Sequence, residues 1–337
     1  MEYRYRDKAY LSNYTLDTSL FDKFDFLVED VIPIRSVYIL KTDKGMKVLK
    51  KVMYGIDELN FIYESLSYIR KTYNNIVNFR LSVNGSPYIE DETGIYVVLD
   101  IINGRECVFE NPVDLKYTSR HLAKLHCAGE NIDSFHEKRF KAGRLIEKYN
   151  DALNDLKRFK EIASMHVNKK DFDKLYLSYA DYYIACIYNA IEAVRESKYA
   201  KYSRNKYVLC HHDLAHHNII IDDDNQAHFL DFDYCLIDLP MHDLSNIIVK
   251  AIKHNRWDID IAKTIVKYYK EEKPMTNEEM DILYAYLVFP KDFYDISTSY
   301  YFRNRDWEEE EFLEKLKRKA EYKDDRERFL QNFKRSY

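Results

Sequence analysis

Glycine and proline are scarce here, at seven and six residues in a chain of 337. With no Pro/Gly/Ser-rich stretch and no internal repeat, a flexible linker between independent domains is not expected, although the length suffices for two lobes. The five cysteines (Cys107, Cys127, Cys186, Cys210, Cys235) are odd in number and form no C-x-x-C pair. This argues against a disulfide framework or a structural zinc site and for reduced thiols in a cytoplasmic setting. No run of about 18 apolar residues occurs, so no membrane span is expected. The opening segment MEYRYRDKAYLSNY has no apolar core of the kind a secretory signal needs. Basic residues are outnumbered as well, 52 against 57 acidic, for a formal charge of −5. The basic surplus of a general nucleic-acid binder is therefore missing.

Against these absences, hydrophobic residues make up 46% of the chain and charged residues 32%, which fits a soluble globular protein with a sizeable core. Tyrosine is abundant, at 31 residues. Two readings are open. The tyrosines belong to an aromatic-rich core, or exposed ones serve oxidative cross-linking in an extracellular shell.

Residues 26–52 carry strand patterns, FLVEDVIPI and SVYIL, then the turn KTDKG and the strand MKVLKKV. In the last of these, Met46, Val48, Lys50 and Val52 share one face, and Lys47, Leu49 and Lys51 the other. Lys50 is thus a single cation on an apolar face and needs an anionic partner, while Lys47 and Lys51 are expected at a solvated edge. A helix follows over about 57–72, with Leu59, Ile62, Leu66, Ile69 and Tyr73 in an amphipathic stripe. A strand over 94–102 and a helix over 119–129 come next. Two long helical patterns between about 138 and 197 are broken near SMHVNKKD. The pattern then switches to the strands KYVLC and NIII, the turn DDDN and the returning strand QAHFLDF. DLSNIIVKAIKH restarts helix with Asp243 as its expected N-cap. Helix-prone sequence with Phe312, Leu316, Leu330 and Phe333 roughly in phase runs to the end. The simplest architecture is α+β, a small strand-rich part and a larger helical part bordering one cleft.

The segment LCHHDLAHHNIII, residues 209–221, concentrates four of the chain's eleven histidines around Asp213. One reading makes the histidines metal ligands. His212 and His216 have an i,i+4 spacing that chelates well on a helix, yet the segment lies between two strands, where a stable helix has no room. Cys210 or His228 could contribute to a loop site. The other reading starts from the acids. Asn218 follows Asp213 by five residues and Asp231 by eighteen, on the opposite arm of the hairpin. Such a trio suits phosphoryl transfer, with one carboxylate orienting a hydroxyl while an amide oxygen and a second carboxylate hold Mg²⁺ against the phosphates. The offsets match the kinase pattern H-R-D…N followed by D-F-G, here His211-His212-Asp213, Asn218 and Asp231-Phe232-Asp233.

The stretch CHHDLAHHNIII…FLDFDYCLIDLPMHDLSNII resembles the aminoglycoside phosphotransferase and choline kinase superfamily, and more closely the CotS family of bacterial spore-coat proteins. TDKGMKVLKKV, YVVLDIINGRECVF, HLAKLH and YLVFPKDFY extend the likeness over about residues 25–300. The resemblance implies a bilobal protein-kinase-like fold with ATP between the lobes. The N-lobe would be 1–100 and the helical C-lobe 101–337, with a catalytic loop at 209–235 and a helical insertion at about 138–200. It implies Asp213 as catalytic base, His211 as the brace of its loop, Asn218 and Asp231 as Mg²⁺ ligands and Lys50 as the partner of the α- and β-phosphates. The segment Asp100–Asn103, Ile102 included, would form the hinge against adenine, and Asp243 would support the catalytic loop. Three departures stand out. His212 replaces the middle glycine of H-G-D. VIPIRSV has no glycine, so Arg35 and Ser36 would substitute for a phosphate loop. The glutamate that pairs with Lys50 is open between Glu58 and Glu64. The expected function is an ATP- and Mg²⁺-dependent kinase of a small-molecule hydroxyl, made in the mother cell and deposited in the spore coat with other coat proteins as partners. The alternative is an inactive pseudokinase with a structural role there.

Overall fold

The computed structural model describes residues 18–337, apart from residues 35, 36, 134 and 254. Strands β1 (Val28–Ile34), β2 (Val37–Thr42) and β3 (Gly45–Val52) follow the alternating N-terminal pattern and pair antiparallel. Helix α1 (Ile56–Ile69) comes next, then β4 (Phe79–Arg80), β5 (Ile89–Asp91) and β6 (Gly94–Asp100), and the six strands form one sheet with β6 against β3. Its core is on the Leu49 face, where Leu20, Phe24, Leu40, Tyr96 and Val98 are buried. The Lys50 face is the half-open one, with Met46 38% exposed.

That inversion changes the expectation for Lys47. It is buried rather than solvated, because register sets it directly across from Asp100, whose carboxylate it meets at 3.0 Å. Helix α1 is shared between cores. Leu59 packs with Val52 and Val97 on the Lys50 face of the sheet, whereas Phe61, Ile62, Leu66 and Ile69 join the large core of the helical part.

After β7 (Arg105–Glu106), α2 spans Pro112–Ala128. It starts two turns before the expected 119 because Asn111 caps Val113 N–H and proline occupies the first turn. Helices α3 (Leu145–Met165) and α4 (Asp171–Glu196) follow, with the break where SMHVNKKD predicts it, and then the short α5 (Tyr199–Tyr202). Strands β8 (Val208–Cys210), β9 (Ile219–Ile221), β10 (Ala227–Phe229) and β11 (Leu236–Asp238) form two small sheets, β7-β9-β10 and β8-β11. Helices α6 (Pro240–Ile252), α7 (Ile259–Glu272), α8 (Asn277–Val288), α9 (Lys291–Tyr301), α10 (Glu309–Glu321) and α11 (Lys323–Ser336) complete the chain. The C-terminal stripe is divided between two helices, α10 and α11, that turn at Tyr322, yet Phe312, Leu316 and Phe333 are all buried as the phase predicts. Ring stacks such as Phe172–Tyr300 and Tyr183–Phe293, with centroids 3.6 and 3.8 Å apart, tie α4 to α9.

Candidate active site

Between β8 and β9 the chain makes an irregular loop with one short turn at His216–Asn218, so His212 and His216 do not share a helix face. Their fates diverge. His216 is exposed, 4.0 Å from Glu106, while His212 is drawn inward. Among the described residues, the one grouping of His, Cys, Asp or Glu donors with metal-ligand proximity is His126, Cys210 and Asp243. That grouping has a structural role. Asp243 accepts the N–H groups of His211 at 2.6 Å and His212 at 2.8 Å, and faces His126 Nε2 at 3.2 Å. Burial alone would raise its carboxyl, but the His126 hydrogen bond and charge hold it well below the usual range. Asp243 is not the N-cap of α6, which begins at Pro240; it lies within the first turn and reaches back to the loop.

His211 is fully buried, and its Nε2–H donates to the Leu230 carbonyl at 2.6 Å, joining the loop to the residue before Asp231. His212 occupies the left-handed region at φ +72°, where the H-G-D pattern has glycine. That conformation costs a β-carbon-bearing residue about 1 kcal/mol or more. It is held by the Asp243 bond and by a contact of 2.7 Å between His212 Nδ1 and His242 Nε2. His242 Nδ1 meets Asp238 Oδ2 at 3.0 Å. Since the carboxylate can only accept, His242 Nδ1 donates, its Nε2 accepts from His212, and the His212 Nε2 is left as an acceptor. Burial, with the charge of Lys148, holds His212 down to about 3.

Asp213 and Asn218 are joined directly. Asn218 Nδ2 donates to the Asp213 carbonyl at 2.9 Å and to its Oδ2 at 3.2 Å. The other oxygen, Oδ1, accepts from Lys250 of α6 at 2.7 Å. Burial pushes the Asp213 carboxyl up, but Lys250, with His211 and His217, holds it below its ordinary value. Hairpin pairing sets Leu230 N–H on the Asn218 carbonyl at 2.9 Å, so Asp231 follows next to Asn218. Asp231 is left-handed, at φ +56°, and its Oδ1 is 2.7 Å from Lys50 Nζ.

The second partner of Lys50 is Asp233, at 2.7 Å, which also accepts from Tyr54 at 3.0 Å. Burial lowers the lysine, but these two carboxylates overcome it and hold its pKa above the ordinary value. Glu58 goes elsewhere. Arg139 takes it at 2.7 Å while donating to the Asp233 and Cys235 carbonyls at 2.5 and 2.9 Å. Sequence spacing missed Asp233, Lys250 and Arg139. The signal for Asp233 was its place as the final residue of a D-F-G-like triplet; Lys250 and Arg139 carried none, because long-range packing alone brings them in.

The Asp100 carboxylate is occupied by Lys47, Asn78 at 2.7 Å and Arg80 at 2.6 Å, and its backbone N–H donates to the Asn78 carbonyl at 2.9 Å. Ile102 is half-buried, in the segment linking the sheet to β7. Arg35 and Ser36 lie outside the described residues. Asn218 and Asp231 offer hard oxygens, and with Oδ1 on Lys50 the Asp231 side chain is still 41% exposed, a donor set that fits Mg²⁺. Beside Asp213 and Lys250 opens a cavity of about 500 Å³, the size of a small-molecule site.

Comparison with known proteins agrees with this geometry at the level of fold. The chain is similar to spore coat protein S of Bacillus subtilis (strain 168), 21% identical over 310 residues covering 90% of this chain and 88% of the relative. An aminoglycoside phosphotransferase structure from Alicyclobacillus acidocaldarius superposes with a TM-score of 0.84 at 17% identity, covering 96% of each chain. Spectinomycin phosphotransferase, solved in complex with ADP and spectinomycin, gives 0.63 at 14% identity, with 89% of this chain and 92% of that one covered. The fold is therefore the α+β, protein-kinase-like fold of the aminoglycoside phosphotransferase and choline kinase superfamily. The sequence model of the family described as "Spore coat putative kinase YutH" matches residues 17–333, and the chain belongs to that spore-coat, kinase-like family.

Proposed function

We propose that the protein is an ATP- and Mg²⁺-dependent phosphotransferase acting on a small-molecule hydroxyl, made in the mother cell and deposited in the spore coat. The observation that carries this reading is the unbroken chain of contacts from Asp213 through Asn218 and Leu230 to Asp231 and Lys50. In this reading the nucleotide lies between an N-lobe ending at Asp100 and the helical remainder, with the Asp100–Ile102 backbone against adenine. Lys50 engages the α- and β-phosphates, Asn218 and Asp231 hold the metal, and His211 braces the loop. Bound Mg²⁺ supplies neutralisation of the phosphate oxygens.

Asp213 orients the acceptor hydroxyl and takes its proton as the new O–P bond forms and the bond to the leaving ADP breaks. Held ionised at neutral pH, it is a weak base, which suits a loose transition state where positioning outweighs proton transfer. Lys50 adds an observation favouring the inactive reading, since two carboxylates already claim it. Incubation of the purified protein with Mg·ATP and a panel of hydroxyl acceptors tests both. Phosphoryl transfer or hydrolysis is expected, with Asp213→Asn lowering it by about 10²-fold or more while Mg·ATP still raises the melting temperature. A wild-type protein that neither turns over nor is stabilised by millimolar Mg·ATP is the inactive form.

A further inference from the structure

The cavity beside Asp213 carries a charge pattern opposite to that of the whole chain. The protein is net negative at −5, yet seven basic side chains line this cavity against three carboxylates. All three carboxylates are already matched. Asp213 has Lys250 at 2.7 Å, Asp295 has Lys291 at 2.6 Å and Asp292 has Lys319 at 3.5 Å. The Arg326 guanidinium is turned to the Val288 carbonyl. What is left over is cationic. Among the described residues, Lys148, Lys253 and Arg305 line the cavity with no carboxylate in ion-pair contact.

Lys148 is the most informative of these. Its side chain is exposed on the cavity wall, and desolvation there, with the charge of Lys291, holds its ammonium below the ordinary lysine value. Asp238, the acid that most favours its charge, is engaged by His242 and Tyr286. An ammonium group entering here would meet like charge and find no free carboxylate, whereas an anion would relieve the crowding.

We infer that the acceptor phosphorylated at Asp213 itself carries an anionic group, a phosphate or a carboxylate, held by Lys148 and Lys253 while its hydroxyl faces Asp213 and His212. This deepens the phosphotransferase reading and rests on it. The acceptor is then a phosphorylated or acidic polyol or sugar rather than an amine, of a size that about 500 Å³ admits.

The test uses the full chain and titrates inorganic phosphate, glucose 6-phosphate, gluconate, glycerol and ethanolamine, read by calorimetry and by phosphoryl transfer from Mg·ATP. Wild type is compared with Lys148→Gln, Lys148→Glu and Lys253→Glu, each checked for folding by its urea midpoint. The anionic probes are expected to bind, and charge reversal to weaken them about tenfold or more, with ethanolamine gaining rather than losing. The inference is overturned if ethanolamine or glycerol binds and reacts as well as glucose 6-phosphate and gluconate. It is equally overturned if anion binding is indifferent to the lysine variants, which would assign the anions to the nucleotide site. Anion binding that the variants abolish, with no phosphoryl transfer to any acceptor, would sink the phosphotransferase reading and leave the anion site standing.

Discussion

Asp213 is surrounded by opposing influences: burial favours its neutral form, and Lys250 at 2.7 Å favours its charge. Lys250 acts through Asp213, as a positioning residue. Replacing it with methionine removes the hydrogen bond and the charge together, so the Asp213 pKa rises. The acid limb of the pH–rate profile should move to higher pH, and kcat should fall roughly tenfold, since a hydrogen bond to a charged group contributes about 1.5–3 kcal/mol. Lys250→Arg should restore much of both. An unmoved acid limb would mean that the contact does not govern ionisation of Asp213. At this scale the Asp213, Asn218 and Asp231 spacing was legible, because hairpin geometry converts short sequence offsets into proximity. Lys250, 37 residues further on, was not, since nothing local distinguishes it from other lysines of an amphipathic helix.

Among elements, α1 is held from two sides, by the sheet through Leu59 and by the helical part through Arg139. Arg139 is 9% exposed and joins Glu58 of α1 to the carbonyls of Asp233 and Cys235. Arg139→Met should destabilise by about 3–5 kcal/mol, because removing one partner leaves buried polar groups without theirs. A double-mutant cycle with Glu58→Gln should show coupling, and strictly additive losses would dissociate the pair. The strand and helix patterns anticipated most elements. Boundaries set by a cap or a helix corner were missed, as at Asn111 and Tyr322, as was a face assignment. Alternation in β3 separates two sets of residues but does not say which set meets the core; Leu20, Phe24 and Phe26, packed beneath the sheet, decide that.

For the whole molecule, buried neutral histidines set the response to acid. Burial, with the charge of Lys124, holds His121 down to about 4, and His212 is held at about 3. Both would titrate near 6.5 in the unfolded chain. Below about pH 6.5 the unfolded state binds protons that the folded state refuses. Stability present above that pH is therefore lost progressively toward pH 4 and 3, at up to about 1.4 kcal/mol per pH unit for each histidine. Urea midpoints should accordingly be lower at pH 5 than at pH 7.5, and equal midpoints would contradict the assignment of neutral buried imidazoles. Tyrosine usage is also decided at this scale. Among the described residues only Tyr188, Tyr234 and Tyr337 are exposed, so the abundance belongs mainly to the core and its ring stacks.

Residue order by itself determined the hairpin and its acids, the strand alternation that isolates Lys50 and the family likeness, because each depends on neighbours a few positions apart. Tertiary structure alone decided the partners of the charges. Lys50 closes on Asp231 and Asp233 from 181 and 183 residues away, Glu58 is diverted to Arg139, and cations from separate helices gather around one cavity. The physical reason is that a carboxylate or an ammonium accepts any opposite charge brought within reach. Which one arrives depends on how the helices pack.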